Sequence, residues 1–160
     1  MKLSHLDAAG KAQMVDVGQK PVTERTAVAE GVIRMSSDAF RLIREAALPK
    51  GDALAVSEIA GTLAAKRTAE LIPLCHPLGL DQVTVTASLE SDLPGVRVRA
   101  STKVMGRTGV EMEALTAVSI ALLTVYDMVK SVDREMEITE LHLVEKTGGS
   151  KGNWRRPTRS

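Results

Sequence analysis

The sequence predicts an α+β fold with helices packed on one face of a four-stranded antiparallel sheet. Three observations carry this: period-two apolar alternation in three segments, helical apolar stripes between the first two, and a long apolar helix after the third. Residues 25–35 place Ala27, Ala29, Gly31, Ile33 and Met35 on one side, as a strand does. Ser36-Ser37-Asp38 offers N-caps for a helix with the stripe Ala39, Phe40, Leu42, Ile43 and Ala46, ending near Lys50 before Gly51. Asp52 can cap a second helix, running to about Leu71 through Leu54, Ile59, Leu63 and Ala64. Pro73 and Pro77 then stiffen the loop Pro73-Leu74-Cys75-His76-Pro77, since each ring fixes φ and restricts the residue before it. Val83, Val85, Ala87 and Leu89 line one strand and Val96, Val98, Ala100 and Thr102 the next, and Pro94-Gly95 between them marks a hairpin. Gly106 and Gly109 precede a helix over about 110–132, and a last strand, without clean alternation, spans about 137–146. Strand, helix pair, strand, strand, helix, strand is the split β-α-β-β-α-β order. Residues 1–150 read as a single domain with an N-terminal arm over 1–23, and residues 151–160 as a flexible C-terminal tail.

Composition narrows the function classes. Twenty-one Lys and Arg against 20 Asp and Glu leave a net charge of +1, without the basic excess of a nucleic-acid binder. Phe40, Tyr126 and Trp154 are the only aromatic residues, too few for a base-stacking platform. The longest apolar run, Ala114 to Tyr126, falls short of the ~20 residues that a bilayer span needs, so no membrane partner is expected. The N-terminus lacks the apolar core of a signal peptide, and Cys75 is the only cysteine, so a reducing cytoplasm is the expected location. An apolar fraction of 44% made mostly of Ala, Val and Leu buries little area per residue, which favours oligomerisation.

Chemistry-bearing residues concentrate in three places. Glu111 and Glu113 begin the long helix, and Asp127 and Lys130 stand near its end. Charges on so apolar a helix are costly unless paired or placed in a wet site, although helix-end electrostatics and an Asp127–Lys130 pair three residues apart account for part of the pattern. Glu113 and Asp127, fourteen residues apart, fall on nearly one face yet ~21 Å apart along the axis, beyond the reach of one small substrate on one chain. A site shared between neighbouring copies resolves this. His76, held between two prolines, suits substrate binding or proton transfer, whereas Cys75 beside it is too divergent in direction to form a nucleophilic dyad and reads as packing. His5 and His142 make no metal-ligand spacing with it. Lys20, Arg25, Lys50, Lys66, Arg67, Lys130 and Lys146 are scattered cations, each by itself a solvated charge; Lys50, on the stiff turn between Pro49 and Gly51, can be aimed into a cleft. Gly148-Gly149-Ser150-Lys151-Gly152 lacks the spacing and following helix of a phosphate-binding P-loop. These residues alone leave three readings open: an enzyme, a nucleotide-binding regulatory module, and a structural oligomer tied by intersubunit salt bridges.

Together, Met14-Val15-Asp16-Val17, Lys50-Gly51-Asp52, Ala64-Ala65-Lys66-Arg67-Thr68, the octapeptide Leu71 to Leu78 (LIPLCHPL), the segment Thr108 to Thr116 (TGVEMEALT) and Tyr126-Asp127-Met128-Val129-Lys130 resemble the MoaC family of molybdenum cofactor biosynthesis over about residues 5–150. The resemblance implies a ferredoxin-like fold and a homohexamer, a trimer of dimers with active sites between subunits. It implies a lyase that converts 3′,8-cyclo-7,8-dihydroguanosine 5′-triphosphate to cyclic pyranopterin monophosphate and releases diphosphate. By the same resemblance Asp127, Lys50 and Lys130 are catalytic. Leu74, Cys75, His76, Met112 and Glu113 bind substrate, joined by Arg25, Lys66, Glu111 and Lys146, while Trp154, Arg155 and Arg156 receive no role. No cofactor or resident metal is implied; Mg²⁺ can accompany a triphosphate, but no carboxylate constellation specifies a site for it.

Overall fold

The computed structural model describes residues 10–92, 94–150 and 152–157. His5, Lys151 and the first part of the expected N-terminal arm lie outside the described residues. The elements are β1 (Thr23–Arg34), α1 (Ser37–Arg44), α2 (Ala53–Lys66), α3 (Thr68–Leu71), β2 (Gln82–Glu90), β3 (Gly95–Gly106), α4 (Glu111–Val129), β4 (Glu137–Thr147) and β5 (Trp154–Arg155).

The strands form one antiparallel sheet in the order β2-β3-β1-β4-β5. It has five strands where the sequence predicts four. The fifth comes from the segment read as a tail: Gly148, Gly149 and Gly152 take positive φ and turn the chain back, Asn153 accepts a hydrogen bond from the Gly148 amide, and Arg156 N donates to Val144 O at 2.8 Å. Two residues of strand are too short to alternate, so period-two reading misses them. The irregular pattern of β4 also has a cause. Its pairing with β1 slips at Val28/Ala29 and again at Glu30/Val32, and Glu140 sits at φ 56° where the strand bulges.

Ala27, Ala29 and Ile33 of β1 and Val96, Val98 and Ala100 of β3 point to the core, where α4 covers them with Ala114, Ala117, Val118, Ala121, Leu122 and Val125. Small residues let the backbones come close. A Cβ on Gly61 of α2 would lie 2.9 Å from Ala117 O of α4, and one on Gly31 of β1 would lie 2.8 Å from Leu122 Cδ1. By length and composition α4 is apolar enough to cross a membrane, a property it shares with core helices, and here it lies between the sheet and α2. The opposite sheet face is polar, as antiparallel sheets allow. Arg97 pairs there with Glu90 at 2.8 Å, Arg99 with Glu30 at 2.9 Å and Lys103 with Glu24 at 2.6 Å.

The helices are shorter than the stripes suggest. Ser36 Oγ caps α1, accepting from Ala39 N, but α1 ends at Arg44 because Ala46 turns into the left-handed region (φ 51°) and Ala47 N bonds back to Leu42 O. Asp52 caps α2 through Leu54 N and Ala55 N, and the helix breaks at Arg67, where buried Thr68 donates to Ala64 O and Ala65 O.

Candidate functional site

At the C-terminal end of α4, two lysines grip one carboxylate. Lys50 lies in the α1–α2 turn, fixed by buried Leu48 on one side, by Gly51 (φ 93°) on the other, and by the Gly51 N–Leu48 O bond. Its ammonium donates to the main-chain O and to Oδ2 of Asp127, both at 2.9 Å. Lys130, at the end of the helix, reaches Asp127 Oδ1 at 2.7 Å. Hydrogen bonds from Lys130, then from Lys50, hold the Asp127 carboxyl down at about 2. So acidic a group is a poor proton acceptor at neutral pH. It orients the two ammonium groups and leaves them one net positive charge to present to an anion. All three side chains are half exposed.

At the other end of α4, Glu113 is buried (3% exposed) and accepts a hydrogen bond from the Cys75 thiol at 3.6 Å. Burial raises the carboxyl above its ordinary range. Burial, then the charge of Glu113, pushes the Cys75 thiol up to about 11. Glu113 lines a cavity of about 120 Å³ together with Lys66, Arg67, Thr68, Glu70 and Pro77. Lys146 of β4 bonds Glu111, the first residue of α4, at 2.7 Å, and Arg25 Nε of β1 donates to Gly106 O at 2.9 Å. His76 faces a neighbouring, mostly apolar groove of about 400 Å³ that Val17, Val22, Gly106, Arg107 and Thr108 also line. Leu74 and Met112 are exposed, at 38% and 37%, and neither lines the cavity or the groove. Among the described residues no cluster of three or more His, Cys, Asp or Glu side chains is placed to hold a metal ion.

The family model of MoaC matches residues 14–149, which include every one of these side chains. The chain belongs to the MoaC family. It is 55% identical over 153 residues to the cyclic pyranopterin monophosphate synthases of Brucella ovis and Brucella melitensis, and 54% identical to that of Brucella canis. Each match covers 96% of this chain and 93% of the relative.

In this MoaC chain most of the residues picked out by sequence fall into two groups, one at each end of α4, as the sequence spacing requires. Lys50, Asp127 and Lys130 meet at one end of α4; Cys75, Glu113, Lys66, Glu111, Lys146, Arg25 and His76 gather around the other. Arg67, read as a solvated charge, walls the Glu113 cavity, and Arg107, not singled out at all, lines the His76 groove. The position of Arg67 at the break between α2 and α3, directly after Lys66, is the local signal for it. For Arg107 no such signal exists, because its place follows from the end of β3 meeting the arm.

Proposed function

We propose that the chain is a cyclic pyranopterin monophosphate synthase of molybdenum cofactor biosynthesis, a lyase acting on 3′,8-cyclo-7,8-dihydroguanosine 5′-triphosphate. The observation that carries this reading is the 55% identity to synthases along almost the whole chain. In the reaction a sugar hydroxyl attacks the α-phosphorus, the bond from that phosphorus to the bridging oxygen breaks, and diphosphate departs. Lys50 and Lys130 move protons during this closure and during opening and reclosure of the purine-derived ring, with Asp127 orienting both. Glu113 and His76 hold the base-derived rings, and Arg25, Lys66 and Lys146 meet the phosphates. Cys75 packs against Glu113, its thiol being too weakly acidic for nucleophilic work.

The reading includes a shared site. The two groups of residues lie ~21 Å apart along α4, so one substrate reaches both only where a second copy brings its own helix end alongside. A homohexamer built as a trimer of dimers fits this need. A ferredoxin-like fold belongs to the reading, supported by the order β2-β3-β1-β4 once the two-residue β5 is set aside, and a cytoplasmic location with no resident cofactor completes the proposal. Incubating the purified protein with the cyclised GTP derivative and following diphosphate tests it. Turnover is expected, and Lys50→Ala and Lys130→Ala are each expected to lower it by about 100-fold or more while assembly stays intact. Stoichiometric binding without diphosphate release favours the nucleotide-binding module instead.

A further inference from the structure

The β4–β5 turn meets Arg25 in a way that the synthase reading alone does not use. Gly148 and Gly149 both sit at φ 82°, and a Cβ on Gly149 would lie 2.5 Å from Arg25 Nη1, 3.3 Å from Cζ and 3.5 Å from Nη2. All three nearest atoms belong to the guanidinium group. On its other flank Arg25 Nε donates to Gly106 O at 2.9 Å. The group is thus held between the end of β3 and the turn after β4. Among the described residues it has no ion pair, unlike Lys146 close by, which Glu111 neutralises. The charge of this half-buried guanidinium is offset by no carboxylate within ion-pair distance among the described residues, which leaves it to an incoming anion.

We propose that Gly149 is a positioning residue: its missing side chain lets the turn fix the Arg25 guanidinium to receive a phosphate oxygen of the substrate. This rests on the reading of Arg25 as a substrate-pocket residue. It also explains why a Gly-rich segment that is no P-loop stands beside a phosphate site: the glycines act through the arginine they confine.

The test compares Gly149→Ala, Arg25→Ala, the double variant and Gly152→Ala. Gly152 also has positive φ, at 68°, and its N donates to Gly149 O at 3.1 Å, but a Cβ there meets nothing within 4 Å, so it reports backbone strain in the same turn without the collision. The readouts are the affinity for inorganic triphosphate by calorimetry, KM and kcat for diphosphate release, and the unfolding midpoint. Gly149→Ala is expected to weaken triphosphate binding and raise KM about tenfold with a smaller change in kcat, Gly152→Ala to leave both within about twofold, and Gly149→Ala to add nothing once Arg25 is Ala. If Gly149→Ala fails to fold while Gly152→Ala, which bears similar φ strain, folds, the double variant is expected to fold, because the collision is what separates the two. Equal losses from Gly149→Ala and Gly152→Ala, an undiminished Gly149 effect without Arg25, a double variant that also fails to fold, or a wild-type protein that does not bind triphosphate each overturn the proposal. Binding that shows the coupling, in a protein that releases no diphosphate, keeps Gly149 as a positioning residue and removes the synthase reading.

Discussion

Glu113 is the residue at which folding and the proposed function pull apart. A carboxyl with 3% exposure and a thiol for a partner is costly to ionise, and its raised pKa records that cost. The sign follows directly. An acid whose folded pKa lies above its unfolded value burdens the fold as pH rises past the ordinary glutamate range, because ionisation is easier in the unfolded chain. Glu113→Gln is therefore expected to raise the melting temperature relative to wild type, by a margin that grows between pH 4 and pH 8 in ~1-unit steps, while it weakens substrate binding. A margin independent of pH contradicts the burial argument. Cys75 reports on the same pair from the other side. With its thiol at about 11, alkylation by iodoacetamide is slow at pH 8, and Glu113→Gln removes the charge that supplies part of the shift. The midpoint of the alkylation rate against pH is expected to fall below about 11 in the variant. Asp127 has the opposite sign. Its lysine contacts are fully present above the ordinary Asp range and fade as pH falls through about 2.

Among the elements, two positions show backbone geometry overriding helix propensity in opposite directions. Gly61 lies inside α2, where Ala is normally better by ~1 kcal/mol, yet its Cβ would meet Ala117 O of α4 at 2.9 Å. Gly61→Ala is expected to cost about 1–3 kcal/mol, lowering the melting temperature by several degrees. Ala46 occupies the left-handed end of α1 at φ 51°, a place that suits glycine, and Ala46→Gly is expected to add about 0.5–1 kcal/mol. Calorimetric melts of the two variants check both signs. These positions also mark how far the elements were legible in sequence. Alternation located β1, β2 and β3, and Asp52 located the start of α2, because each depends on local pattern. The end of α1, the break at Arg67 and the bulges of β4 depend on main-chain bonds and on β1 pairing, which no periodicity records. The edge strand β5 was missed for a related reason: Trp154 and Arg155 pair with Lys146 and Glu145 only because the glycine turn brings them back.

For the whole molecule, the question is whether one copy or two supply the halves of the proposed site. Most of the candidate residues were legible because charge is conspicuous on so apolar a helix, and the resemblance picked out the rest. What they share was not legible beyond the length of α4, which keeps Asp127 and Glu113 ~21 Å apart within one chain. Proximity is a strict demand in catalysis, so residues that far apart cannot serve one reacting centre unless another copy closes the distance. Mixing subunits that carry Lys130→Ala with subunits that carry Glu113→Gln, at a substrate concentration too low for either alone to turn over, separates the possibilities. If each site takes Lys130 from one chain and Glu113 from its neighbour, random assembly restores about a quarter of the sites, those whose two contributors each bring the intact half. If both halves act within one chain, every chain carries a defect and no activity returns, even when mass spectrometry confirms mixed oligomers. Subunits carrying both substitutions, mixed with wild type, supply the reference. There a shared site also leaves about a quarter of the sites intact, whereas a site within one chain leaves about half.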